Sequence, residues 1–67
     1  MTTEGNVAVV TGAASGIGLA TIHRLARMGF HTIAIDRDQT ALADLLPSLA
    51  GGGHRSLVAD VTDTDRS

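Results

Sequence analysis

Residues 11–18 read Thr11-Gly12-Ala13-Ala14-Ser15-Gly16-Ile17-Gly18, and they directly follow the apolar run Val7-Ala8-Val9-Val10. A short apolar run of this kind is typical of a strand that is covered on both faces in a parallel sheet. Glycines let the backbone adopt positive φ angles and approach a ligand closely. The free N–H groups and positive dipole at a helix amino terminus favour an anion. The stretch therefore predicts a strand that turns into a helix around a bound phosphate.

Each glycine of this turn has an expected task. Gly12 opens the turn, and Gly16 and Gly18 let a diphosphate lie near the N–H groups of the helix that follows. Gly18 also falls on the predicted buried face of that helix, together with Ile22 and Leu25. We therefore expect Gly18 to serve both ligand binding and the close packing of helix against strand.

The rest of the chain alternates between predicted strands and helices. We predict a strand over 6–10, a helix over 16–28, a strand over 31–35, a helix capped by Asp38, and a strand over 55–59. The second helix should end or kink near Leu46, because Pro47 lacks an N–H and its ring clashes with the preceding turn. This order predicts an α/β fold, the first half of a doubly wound parallel sheet. Right-handed crossovers give the strand order third, second, first, with both helices on one face.

The predicted sheet is incomplete as it stands. All three strands are apolar on both faces, whereas the two helices cover only one. We expect residues 1–67 to be the N-terminal βαβαβ part of a single domain that continues beyond residue 67 or is completed by partners. The uncovered face and the exposed edge of the first strand favour a homo-oligomer as the alternative.

Composition excludes several classes of function. The net charge is −2 with no basic cluster, which argues against nucleic acid as a partner. The apolar runs are too short to span a bilayer, and residues 1–6 do not resemble a signal peptide, so we expect a soluble, cytoplasmic protein. The chain has no cysteine and its histidines lack metal-ligand spacing, so no metal site is predicted.

Asp36 strengthens the prediction of a dinucleotide site. It ends the second predicted strand and follows Gly18 by 18 residues. An acidic residue at this place accepts hydrogen bonds from the hydroxyls of an adenosine ribose. Together the turn and Asp36 predict a dinucleotide cofactor.

The spacing of the glycines resembles that of one family in particular. Residues 11–18 are similar to the T-G-x-x-x-G-I-G signature of the short-chain dehydrogenase/reductase family, and Asp60-Val61 matches its D-V pair after the third strand. The resemblance extends in register from Val7 to Thr62. It implies a Rossmann fold, an NAD(P) cofactor, and hydride transfer between a nicotinamide and an alcohol or ketone.

The resemblance also implies roles for individual residues. Ser15 and Ile17 would contact the ribose and diphosphate of the cofactor, in a loop shaped by Gly12, Gly16 and Gly18. Asp36 would hold the adenosine ribose and Arg37 would flank the adenine. Asp60 would hydrogen-bond the adenine amino group, and Val61 would pack on the adenine ring.

The choice of cofactor depends on charge. Asp36 would repel the extra phosphate of NADP, and Ser15 stands where NADP-preferring members of the family often carry a basic residue. NAD is therefore the predicted cofactor. Arg37 is the counter-argument, because a basic residue after the second strand can pair with that phosphate, so NADP stays open as the alternative.

No catalytic residue is predicted in this chain. The family uses a Tyr as acid/base and a Lys four residues later, and these 67 residues contain neither. We therefore expect this chain alone to be inactive and a longer parent protein to be the oxidoreductase. His23 falls on the solvated helix face, and His31 and His54 fall at strand starts, where solvated or structural roles are expected.

Three alternatives follow from the same residues. The chain would then be a non-catalytic nucleotide-binding or self-associating module, or a degenerate fragment. The third alternative is a methyltransferase-type fold, in which an acidic residue after the second strand also holds a ribose. The glycine spacing and Asp60-Val61 disfavour the methyltransferase hypothesis. A P-loop is excluded because the required lysine is absent.

Overall fold

A computed structural model of the chain describes residues 2–59. Its elements, in chain order, are β1 (Thr2–Glu4), β2 (Val7–Thr11), α1 (Gly16–Arg27), β3 (His31–Asp36), α2 (Gln39–Leu45), a 3-10 turn (Leu46–Ser48) and β4 (Arg55–Val58). They form one sheet in the order β1-β2-β3-β4, in which β2, β3 and β4 run parallel. The predicted α/β class and the predicted order of the three parallel strands are confirmed.

The strand β1 was not predicted, and it corrects one expectation. It pairs antiparallel with β2, with Glu4 opposite Val7, so the outer edge of β2 is covered rather than exposed. The two strands are joined by Gly5 and Asn6, and Gly5 has a φ of 61°. A Gly-Asn pair is a known two-residue hairpin signal. The strand itself gives no signal, because its residues are polar and exposed.

The core lies between the two helices and one face of the sheet. Ala8, Val10 and Ala34 point toward the helices and are buried. They pack with buried helix residues, namely Ile22, Leu25, Ala26, Leu42 and Leu45. Both helices therefore cover the same face, as predicted.

The other face of the sheet carries an apolar strip, flanked by polar residues of β1 and β4, and this strip is only partly covered within residues 2–59. Val9 lies opposite Ile33, and Ile35 lies opposite Leu57, so these side chains share that face. The first three are partly buried, whereas Leu57 is 54% exposed. Within residues 2–59 both α-helices pack on the opposite face, and the expectation that further protein covers this face stays a prediction.

Helix ends follow the predicted signals closely. α1 ends at Arg27, one residue before the prediction, and Gly29 follows with a φ of 98°. α2 ends at Leu45 and tightens into the 3-10 turn that contains Pro47.

Neither helix in the described chain has the length or the apolar composition to cross a bilayer.

Two histidines hold the amino end of the sheet together. The Nδ1 atom of His54 accepts a hydrogen bond from the backbone N–H of Thr32 at 3.1 Å and contacts its hydroxyl at 2.8 Å. Nε2 of His54 therefore carries the proton and donates to the Ala50 carbonyl at 2.7 Å. Nδ1 of His31 lies 2.9 Å from the Gly52 carbonyl. Of the two kinds of role predicted for His31 and His54, solvated or structural, these hydrogen bonds favour the structural one.

Candidate functional site

The candidate site lies at the carboxyl ends of β2 and β3. The loop over 12–15 leaves β2 and enters α1 at Gly16, and Gly12 and Gly16 have φ angles of 64° and 55°. Only glycine adopts such angles without strain. The N–H of Ala13 donates to the Ile35 carbonyl at 3.2 Å. This bond anchors the loop, which we call the phosphate loop, to the end of β3.

Gly18 brings α1 against the phosphate loop. A Cβ atom at this position would lie 2.7 Å from the carbonyl carbon of Gly12 and closer still to its oxygen. No side chain fits in that space, because the neighbouring atoms belong to the backbone. The predicted close packing at Gly18 is therefore confirmed.

The amino terminus of α1 is open to a ligand. Ser15 is the N-cap residue, yet its side chain makes no capping hydrogen bond, and the first turn contains no acidic residue. The first N–H groups of a helix have no partner within the helix, and here no cap side chain takes them. Ile17 in this turn is 87% exposed. Backbone donors and a positive dipole end are thus available to an anion.

Asp36 stands beside this terminus as an ionised carboxylate. One oxygen, Oδ1, accepts from the N–H of Asp38 at 3.1 Å, and the other, Oδ2, accepts from the N–H of Ala14 at 3.1 Å. The N–H donors of Asp38 and then Ala14 stabilise the charged form and lower the pKa of Asp36 below its usual value. The group is negatively charged at neutral pH.

The structure brings most of the predicted site residues together. The phosphate loop and the first turn of α1 contain Gly12, Ser15, Gly16, Ile17 and Gly18, and Asp36 is bonded to the same loop. Arg37 follows Asp36 and is exposed. The predicted residues Asp60 and Val61 lie outside the described residues.

Sequence reasoning missed the part played by Ala14. Its backbone N–H, rather than its side chain, contacts Asp36, and a backbone donor has no residue-type signature. The topology gives an indirect signal. The parallel strands β2 and β3 end side by side, so the loop that follows β2 starts next to Asp36 at the end of β3.

The chemistry available in this part of the chain is binding. The site offers backbone donors for an anion and carboxylate acceptors for hydroxyl groups. Within residues 2–59 no three His, Cys, Asp or Glu side chains form a group suited to a metal ion.

Comparison with known proteins gives consistent matches. A family model described as short chain dehydrogenase matches residues 6–67. An uncharacterised oxidoreductase of Mycobacterium tuberculosis is 52% identical over 67 residues, which cover 94% of this chain and 25% of that protein. D-threitol dehydrogenase of Mycolicibacterium smegmatis is 42% identical over 62 residues, which cover 90% of this chain and 24% of the relative.

A solved structure matches the described fold. It is a short chain dehydrogenase/reductase from Burkholderia phymatum in complex with NAD, with a TM-score of 0.79 and 38% sequence identity. The match covers 88% of this chain and 22% of that structure. The chain thus spans about a quarter of the length of the curated relatives it matches.

Proposed function

This chain belongs to the short-chain dehydrogenase family, and from that premise we propose that it binds the adenosine and diphosphate portion of NAD. The observation that carries the proposal is the open amino terminus of α1 beside the ionised carboxylate of Asp36. The open helix terminus offers N–H donors to a diphosphate, and the carboxylate offers acceptors to the hydroxyl groups of an adenosine ribose.

The diphosphate portion would lie against the first turn of α1. Gly16, Ile17 and Gly18 contribute N–H groups there, and the helix dipole adds positive potential. Gly18 keeps the phosphate loop packed closely against the start of α1. Ser15 is exposed at the N-cap, where its hydroxyl is free to contact a phosphate or ribose oxygen.

The ribose would be held by Asp36. A carboxylate has about four lone-pair positions, and the two backbone donors on Asp36 use two of them. The remaining positions suit the two hydroxyl groups of a ribose. A 2′-phosphate would place negative charge against this carboxylate, which favours NAD over NADP. Arg37 is exposed next to Asp36 and is proposed to flank the adenine.

Two further residues complete the proposed adenosine pocket. Asp60 would accept a hydrogen bond from the adenine amino group, and Val61 would pack against the ring. Their support is the family membership and their place in the sequence, shortly after the last residue of β4, Val58.

The whole protein is proposed to be a cytoplasmic NAD-dependent oxidoreductase that acts on an alcohol or ketone. Its catalytic acid/base is expected outside these 67 residues, which contain no Tyr and no Lys. Residues 1–67 would form the first part of one Rossmann domain. The apolar face left by Val9, Ile33 and Leu57 supports a further layer of protein, or a second copy, on that side of the sheet.

Calorimetric titration with NAD tests the binding proposal. We expect NAD to bind more tightly than NADP, and Asp36→Ala to weaken NAD binding about 30-fold, because hydrogen bonds to a charged group are lost. Asp44→Asn removes the same charge from an exposed position on α2 and should leave the affinity unchanged. A protein that ignores NAD and instead forms dimers in sedimentation experiments would contradict the proposal and support a self-associating module.

The oxidoreductase proposal has a separate test. The reading frame after Ser67 should encode a Tyr-x-x-x-Lys segment, and the longer polypeptide should reduce NAD with an alcohol substrate. A stop codon directly after Ser67 would contradict an active parent protein without affecting the test of NAD binding.

A further inference from the structure

We infer that Asp36 is a positioning residue for the phosphate loop in addition to a ligand of the ribose. Its carboxylate holds the N–H of Ala14 and thereby keeps the loop in the shape that receives a diphosphate. This inference rests on the proposed binding of a dinucleotide and adds a second role for the same side chain.

Two neighbouring hydrogen bonds tie the phosphate loop to the end of β3. The N–H of Ala13 donates to the carbonyl of Ile35 at 3.2 Å, and the N–H of Ala14 donates to Oδ2 of Asp36 at 3.1 Å. The first bond uses only backbone atoms, so any residue at position 35 can make it. The second bond depends on the side chain at position 36.

The phosphate loop needs such a tie because glycines flank it. Gly12 and Gly16 both have positive φ angles, and glycine loses more conformational freedom on ordering than any other residue. A loop that samples other shapes lowers the apparent affinity by the fraction of time spent in the competent one. A fixed acceptor for Ala14 raises that fraction before any ligand arrives.

The same carboxylate also connects the loop with α2. Oδ1 of Asp36 accepts from the N–H of Asp38, which is the N-cap of α2. The backbone carbonyl of Asp36 accepts from the N–H of Ala59 at 2.9 Å, just after β4. Asp36 therefore joins the phosphate loop, the start of α2 and the end of β4, and this arrangement restricts the movement of its own side chain.

A substitution of Asp36 that is meant to change the cofactor preference would also affect the phosphate loop. A small neutral residue at position 36 removes the repulsion of a 2′-phosphate, but it also removes the acceptor for Ala14. We expect such a substitution to weaken the binding of every diphosphate ligand that uses the loop. An asparagine keeps one acceptor oxygen, so it can serve Ala14 or Asp38 but not both.

The decisive experiment separates the loop from the ribose by choice of ligand. Dissociation constants for ADP and 2′,3′-dideoxy-ADP are measured calorimetrically for the protein, for Asp36→Ala, which leaves Ala14 no side-chain acceptor, and for Asp44→Asn. The dideoxy ligand has no ribose hydroxyls for Asp36 to hold. If Asp36 positions the loop, Asp36→Ala weakens this ligand about tenfold, within the range of coupling between neighbouring sites. Asp44→Asn, which changes the charge equally, leaves its affinity unchanged.

A second measurement tests the hydrogen bond between Asp36 and Ala14 without a ligand and without a substituted protein. In the ligand-free protein, the amide proton of Ala14 is followed by NMR while the pH is lowered through the titration of Asp36. The inference predicts that the Ala14 and Asp38 amide protons shift together with the Asp36 carboxylate. An Ala14 signal that does not follow Asp36 would overturn the inference.

The nucleotide titrations separate a failure of the loop-positioning role of Asp36 from a failure of the proposed NAD binding. If NAD binds and Asp36→Ala weakens ADP but leaves dideoxy-ADP unchanged, the inference is overturned and the proposed function stands. If NAD, ADP and dideoxy-ADP all fail to bind, the proposed function is overturned and the inference with it. Weaker binding of both nucleotides to Asp36→Ala, together with the shared titration of Ala14, supports both the inference and the proposed function.

Discussion

The two α-helices within residues 2–59 begin in opposite ways. At the start of α1, Ser15 makes no capping hydrogen bond and no acidic residue follows in the first turn. At the start of α2, the carboxylate of Asp38 accepts from the N–H of Ala41 at 3.0 Å. Both helices follow strands of the same parallel sheet, so their amino termini lie at the same edge.

The difference shows how a fold reserves one helix terminus for a ligand. The amino end of α2 is satisfied by its own side chain, which stabilises the helix by about 1 kcal/mol and leaves fewer donors free. The amino end of α1 forgoes that stabilisation and keeps its donors available. A bound anion would supply at α1 the negative charge that Asp38 supplies at α2.

The largest expected effect comes from the glycine that holds α1 in place. Gly18→Ala puts a Cβ atom against the Gly12 carbonyl, and we expect a loss of about 3 kcal/mol in the free energy of unfolding, typical of severe overpacking. Gly52→Ala is the matched control, because open space surrounds Gly52 and its φ is not positive. Urea unfolding of both variants measures the difference. Equal stability of the two would contradict the close packing described for α1.

The next test gives α1 the kind of cap that α2 has. Ser15→Asp places a carboxylate at the N-cap of α1, and we expect NAD binding to weaken about tenfold because the carboxylate competes for the donors and repels the diphosphate. The control Thr40→Glu adds the same charge to the exposed first turn of α2. Calorimetry should show an unchanged affinity for that control. Unaltered NAD binding by Ser15→Asp would mean that the terminus of α1 is not the anion site.

The converse substitution removes the cap of α2. Asp38→Ala should lower the free energy of unfolding by about 1 kcal/mol, the usual cost of losing an N-cap. The NAD dissociation constant of the folded protein should stay the same, because the N–H of Asp38 still donates to Asp36. Thermal unfolding and calorimetry check the two parts. A large loss of NAD affinity would show that the two termini do not act separately.

The smallest expected effect is a pH dependence of stability due to Asp36. Hydrogen bonds lower the pKa of this carboxyl in the folded chain below its value in the unfolded chain. Its contribution to stability is therefore complete above about pH 4 and is lost as the pH falls through the folded value. Urea unfolding at a series of acidic pH values should show a shallower slope for Asp36→Asn than for Asp44→Asn. Identical slopes would contradict the hydrogen bonds assigned to Asp36.

Patterns carried by side chains were sufficient for much of this fold. Apolar runs predict β2 and β3, because a partly or fully buried strand needs such runs. The shorter run that ends in Leu57 and Val58 predicts β4, although all four of its residues are exposed in the described chain. Pro47 predicts the end of α2, because it cannot continue a helix. The spacing of Gly12, Gly16 and Gly18 predicts the phosphate loop.

Features held by backbone groups were beyond sequence reasoning. The polar strand β1 forms through pairing with β2, so it carries no apolar pattern. The contact between Asp36 and the loop uses the backbone N–H of Ala14, and any residue at position 14 has the same donor except proline. The absence of a cap at Ser15 is equally hidden, because serine is a frequent N-cap residue and its rotamer decides whether it caps.

The most direct test of the account is a titration of the protein with NAD, followed through backbone amide signals by NMR. We predict large shifts for Gly16, Ile17 and Gly18 at the start of α1, and small shifts for Gln39, Thr40 and Ala41 at the start of α2. Unchanged signals at α1, or shifts of equal size at both helix termini, would contradict the claim that α1 alone is kept open for the cofactor.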